Sequence, residues 1–178
     1  MSQSTTFYRF STASFNCLKE AVNKETFDIP ALAKSYATLQ GTFQAIEFLL
    51  SKDQVDSNTK LIKEIFNPFQ TLGDPDLRKN TLEEQQKFYE SGGFIHYLSN
   101  ETVFQIDQLL SHFPESYFHE HYNSQELNQN NIYPSAWHDD NSPDQGYNED
   151  HIIVDVIQMK NIFTEAAMDN DYILVFSG

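Results

Sequence analysis

The last segment of the chain, Tyr172-Ile173-Leu174-Val175-Phe176, is apolar or aromatic at every position. A strand that alternates polar and apolar residues can leave one face in water. This one needs cover on both faces, which predicts a central strand in a small sheet. Ahead of it, Ile152, Ile153, Val156, Ile157, Phe163 and Ala167 recur at helical spacing. Asn148 stands where a helix cap is needed, and Asn170-Asp171 ends the run.

Helical and extended patterns alternate through the rest of the chain. Phe7 to Phe10 reads as a short strand. Ser14 is placed to cap a helix through Val22, with Phe15, Leu18 and Val22 on one face, and Cys17 reads as a buried or half-buried residue beside that stripe. From Asp28-Ile29-Pro30 a long helical stripe runs through Leu32, Tyr36, Leu39, Phe43, Ile46 and Leu50, which Gly41 splits in two. A helix over Asn58 to Phe66 stops at Asn67-Pro68. A turn follows over Leu72 to Asp76, then a capped helix from Thr81 to Tyr89. Gly92-Gly93 precedes a strand over Phe94 to Leu98, and Ser99 starts a helix that turns Val103, Ile106, Leu109 and Leu110 inward. Helical turns over Pro114 to Tyr122 and Ser124 to Asn128 complete the set. The expected fold is α+β: residues 1–178 as one domain, several helices around a small mixed sheet, and the C-terminal strand central. No repeat and no Pro/Gly/Ser-rich linker divides it.

Charge restricts the partners. The formal net charge of the 178 residues is −15. From Phe88 to Met159 there is no lysine or arginine, while the same stretch holds twelve Asp or Glu and all six histidines. Such a surface repels nucleic acid and anionic lipid and speeds encounter with a basic protein. A single cysteine cannot staple the fold internally. No apolar run is long enough to span a membrane, and the N-terminus lacks the basic head and apolar run of a secretory signal. A cytoplasmic monomer or small homo-oligomer is the expectation.

The candidate site residues lie in the second half. Residues 137–148 are polar, acidic and rich in turn formers, as in an exposed loop. Asp139, Asp140 and Asp144 fall in it, with Glu149 and Asp150 just behind, and the spacing fits no calcium loop. Tyr133 and Trp137 flank it. Two readings of these rings stand side by side: anchors that hold the loop on the core, or apolar contacts of a recognition patch beside the acids. His119, His121 and His138 are the candidate metal ligands. Positions 119 and 121 do not share a helix face, and a His-Glu-x-x-His spacing is missing. No nucleophile elbow, phosphate loop or dinucleotide fingerprint is present, so no cofactor is called for.

Several segments, in order, resemble the YfbM-like family of small bacterial proteins of unknown function. They are Phe43 to Ser51, Phe66 to Gly73, Tyr97-Leu98-Ser99-x-Glu101-x-Val103, and Asn131-Ile132-Tyr133-Pro134 with Trp137. The terminal helix and apolar strand to Phe176 fit as well. The resemblance implies a one-domain α+β fold and no established activity. One departure is visible: relatives often carry histidine where this chain has Glu47, and tryptophan where it has Phe43.

The function expected from these residues is a non-enzymatic acidic binding protein. Its most specific form is an immunity protein or antitoxin that neutralises a basic toxin or effector. The alternative is a small metal- or carboxylate-dependent hydrolase using the central histidines and aspartates.

Overall fold

The computed structural model of the chain describes residues 3–21, 28–52, 54–73, 81–82, 94–142 and 146–178. Five strands form one sheet: β1 (Ser4–Phe10), β2 (Ser35–Gln40), β3 (Gln70–Leu72), β4 (Ile95–Leu98) and β5 (Tyr172–Ser177), in the order β2-β1-β5-β4-β3. The C-terminal strand is therefore central, as its unbroken apolar run requires. Each neighbouring pair is antiparallel, so the small mixed sheet expected from the sequence narrows to antiparallel pairing throughout the described strands.

Register sorts the side chains between two faces. Phe7 lies opposite Ala37 on one side and Val175 on the other, and these residues join Leu39, Leu98 and Ile173 on the face that carries the main core. Tyr8 lies opposite Tyr36 and Leu174. That second face, with Phe10, Leu72 and Leu174, is covered by Phe15 and Leu18 of helix α1 (Thr12–Ala21). Phe15 stacks on Tyr172 with ring centroids 3.9 Å apart.

The main face is covered by helices α3 (Phe43–Ser51), α4 (Asp56–Phe66), α5 (Asn100–Leu110), α6 (Glu115–His121), α7 (Ser124–Gln129) and α8 (Glu149–Asp169). A four-residue helix, α2 (Ile29–Leu32), precedes β2. Helix α8 is about 30 Å long at 1.5 Å per residue, and it lays Ile152, Val156, Met159, Ile162, Phe163 and Ala166 on the sheet. Phe7 meets Phe163 edge to face at 5.5 Å, an aromatic contact at the centre of this layer. Asn148 caps α8 by accepting from the His151 N–H, and Asn170 ends it in the left-handed region at φ 56°.

Three local expectations need correction. The stripe from Leu32 to Leu50 is not one split helix: residues 35–40 form β2, with Ala37 and Leu39 buried and Tyr36 exposed. The positions 32, 36, 39 and 43 satisfy a helical period, but Ala37 and Leu39 alternate with Tyr36 and Thr38 as a strand requires, and pairing with β1 decides between them. Helix α1 is capped by Ser11, whose Oγ accepts from the Ser14 N–H at 3.1 Å, rather than by Ser14. Cys17 is exposed because Phe15 and Leu18 take the inward face. Val22, the turn beyond Gly73, the helix beyond Leu82 and Gly92-Gly93 lie outside the described residues.

Candidate functional site

Trp137 organises the segment that carries the acids. Only 3% of it is exposed. Its indole Nε1–H donates to Ile132 O at 3.0 Å, its backbone N–H donates to Asn128 Oδ1 at 2.8 Å, and its carbonyl accepts from Asn128 Nδ2 at 3.0 Å. The ring also meets Tyr147 edge to face at 5.8 Å. With its polar atoms satisfied inside and its ring covered, Trp137 anchors the loop and offers no surface to a partner. Tyr133 is half-buried, with its ring edge-on to Tyr147 at 6.4 Å, and its backbone N–H donates to Gln44 Oε1 at 3.2 Å.

The acidic loop that follows is tied down at several points. The His138 N–H donates to Tyr147 O at 3.0 Å, and the Tyr122 hydroxyl donates to His138 O at 2.5 Å. Asn148 Nδ2 donates to Asp140 O at 3.2 Å, and the Ser142 N–H to Asp140 Oδ1 at 2.9 Å. Asp139, Asp140 and Asp150 are exposed, and Glu149 is half-buried. Burial, then the charges of Asp139 and Glu149, push the Tyr122 phenol far above its ordinary range. Asn141 Nδ2 also donates to Glu149 Oε2 at 3.4 Å, which ties the acidic loop to the helix start. Glu149 and Asp150 also face the positive end of α8, which favours negative charge at that place. Asp144 lies outside the described residues.

The histidines do not gather. His119 Nδ1 pairs with Glu149 Oε1 at 2.8 Å. His121 stacks on Tyr117 at 4.0 Å and donates from Nδ1 to its carbonyl at 2.7 Å. His138 is exposed. Among the described residues no three His, Cys, Asp or Glu side chains lie close enough to hold a metal ion.

A second locus was not foreseen. A cavity of about 690 Å³ opens beside α3, lined by Phe43, Gln44, Glu47, Phe48 and Ser51 together with Asn67, Ile132 and the ends of β1 and β5. The opposite stripe of α3, Ala45, Ile46, Leu49 and Leu50, is in the core. Burial pushes the Glu47 carboxyl above the ordinary glutamate range, against a smaller pull from Lys63. Asp155 is a further half-buried carboxylate. Burial raises it, and hydrogen bonds from the Thr42 hydroxyl and the Gln40 backbone partly hold it down.

The pattern of a domain of unknown function, DUF1877, matches residues 7–176. The chain belongs to the DUF1877 family. Its fold is YfbM-like: the crystal structure of YfbM from Escherichia coli, a protein of unknown function, superposes with a TM-score of 0.61. That superposition covers 98% of this chain and 99% of the other at 12% identity, a likeness of fold alone. Among curated proteins, none matches the sequence. Within this DUF1877 chain, Phe43 and Glu47 both line the α3 cavity. A signal for it was present in the sequence. Glu47 is the sole charge in Phe43-Gln44-Ala45-Ile46-Glu47-Phe48-Leu49-Leu50, and it stands one helical turn from Phe43 and from Ser51. Tyr122 carried no comparable signal, because its role depends on a loop that returns from sixteen residues away.

Proposed function

We propose that this DUF1877 chain is a non-enzymatic acidic binding protein whose face around the start of α8 docks a basic protein. In its most specific form it is an immunity protein or antitoxin that covers the cationic surface of a toxin or effector in the cytoplasm. The observation that carries this reading is the attachment of the acidic loop to the start of α8, where Asn148 Nδ2 donates to Asp140 O at 3.2 Å and Asn141 Nδ2 to Glu149 Oε2 at 3.4 Å. A loop held by hydrogen bonds presents its charges without first having to be ordered, which favours both association rate and affinity. The absence of lysine and arginine from Phe88 to Met159 leaves this stretch without a cation of its own to answer those acids. Tyr133, half-buried beside Tyr147, is the ring available for apolar contact.

No helix of the described residues is long and apolar enough to cross a membrane. The test is affinity capture from the source cell with the untagged face outward, comparing wild type with the triple variant Asp139→Asn/Asp140→Asn/Asp150→Asn. A basic protein retained at low salt, released at high salt and lost from the variant supports the reading. Equal capture by wild type and variant, or no basic protein at low salt, contradicts it.

A further inference from the structure

The cavity beside α3 holds a polar set that the fold itself leaves unused. Gln44 is committed, donating from Nε2 to Gln3 Oε1 at 2.7 Å and accepting from the Tyr133 N–H. Ser177 is committed to Thr5 through a 3.0 Å hydroxyl contact. By contrast, the Glu47 carboxylate makes no hydrogen bond or ion pair with any described residue, and neither the Ser51 hydroxyl nor the Asn67 side-chain amide is hydrogen-bonded to one. Lys63 acts on Glu47 only through its field. Three oxygen acceptors of different kinds therefore line one cavity, and one of them is a partly desolvated acid.

The rings beside that acid suit a cation. Phe43 precedes Glu47 by one helical turn and Phe48 follows it, both lining the cavity. The face of a phenyl ring attracts ammonium and guanidinium groups. Phe48 already does so for Lys52, whose Nζ lies 5.4 Å from the ring centroid. Glu47 is half-buried, and a carboxylate partly withdrawn from water without a partner carries a desolvation cost that an incoming cation offsets. The volume falls within the range of about 300–1,000 Å³ common for small-molecule sites.

We propose that this cavity is a binding site for a small organic cation, an ammonium or guanidinium group on a short apolar stem. Glu47 supplies the counter-charge, Phe43 and Phe48 hold the stem, and Ser51 and Asn67 accept the remaining N–H donors. The site is independent of the acidic face at the start of α8 and does not rest on that reading.

The experiment is an NMR titration of the full chain, labelled with nitrogen-15, at constant ionic strength. Its four probes share one stem: n-butylguanidinium, n-butylammonium, the neutral n-butylurea and the anionic pentanoate. Expected are saturable shifts at the amides of Phe43, Glu47, Phe48 and Ser51 with at least one cation, and binding of the urea and the anion weaker by at least about tenfold. Glu47→Gln should weaken the cation by a similar factor, while Asp139→Asn/Asp140→Asn/Asp150→Asn leaves it unchanged. The proposal is overturned if neither cation saturates, if the urea binds as well as the cations, if Glu47→Gln binds with wild-type affinity, or if the shifts map to residues 138–150 instead. Should the glutamine variant not fold, the wild-type probe series decides alone.

Discussion

Arg9 Nε donates to Asp171 Oδ2 at 2.7 Å, joining β1 to the turn between α8 and β5. The same guanidinium reaches Glu165 Oε2 at 2.6 Å and the Asp169 carboxylate, and Lys34 Nζ meets Asp171 at 2.7 Å. Arg9 and Asp171 are both buried, at 7% and 3% exposure. Removing one partner of a buried pair costs about 3–5 kcal/mol where the other is left alone, and Asp171 keeps Lys34, which places the loss at the lower end. Arg9→Met is therefore expected to lower the unfolding free energy by about 3 kcal/mol, read as a lower urea midpoint with an unchanged slope. A loss below about 1 kcal/mol would mean that the cluster behaves like exposed ion pairs.

Trp137 is expected to behave as a core residue. Trp137→Ala removes a covered ring and one hydrogen bond to the Ile132 carbonyl, which keeps the Ser135 N–H at 2.7 Å, with a predicted loss of about 3–5 kcal/mol from the lost ring packing. As the chain's single tryptophan, it also reports directly. Its emission in the native state should be blue-shifted and poorly quenched by iodide. Ready quenching in the folded protein would show that the ring faces solvent.

Gly41 stands where β2 turns into α3. Its φ is +78°, and a Cβ built there would lie 2.7 Å from the Tyr147 ring at Cε1. Backbone strain and the clash act together, so Gly41→Ala is expected to cost about 1–3 kcal/mol. The check is the shift in thermal midpoint, and no shift would mean that the turn relaxes freely.

Glu47 makes a signed prediction about pH. Burial raises its carboxyl above the ordinary glutamate value of 4.5. The folded state then holds the proton more tightly than the unfolded chain does. Ionising Glu47 works against folding, and that penalty develops as pH rises from the ordinary value through the raised one. Glu47→Gln removes it. The stability difference between variant and wild type should move in the variant's favour from about pH 4 to about pH 7. A difference that moves the other way, or stays flat, contradicts the desolvation of this group.

Much of this fold was legible because its strongest patterns were unambiguous. Tyr172 to Phe176 could only be central, and the Ser99 and Asn148 caps fall where the spacing of Val103–Leu110 and Ile152–Ala167 places them. Residues 35–40 misled because Tyr36 and Leu39 fit a helical period, whereas the strand buries Ala37 and Leu39 and turns Tyr36 outward, and its partner is far away in sequence. The site was half legible. The acids of the loop stand out in any reading of charge, but the inward turn of Trp137 depends on Asn128 and Ile132, contacts that no local pattern reveals. The α3 cavity was missed because its walls come from both ends of the chain and from the loop at Ile132.

The central claim is that the acids around Asp139 and Glu149 meet a basic protein. It is tested most directly by the association rate of the captured partner with wild type and with Asp139→Asn/Asp140→Asn/Asp150→Asn across a salt series. Charge-steered docking predicts association at least about tenfold slower for the variant at low salt, converging with wild type as salt rises, while dissociation changes less. Association rates that match at every salt concentration would contradict the account.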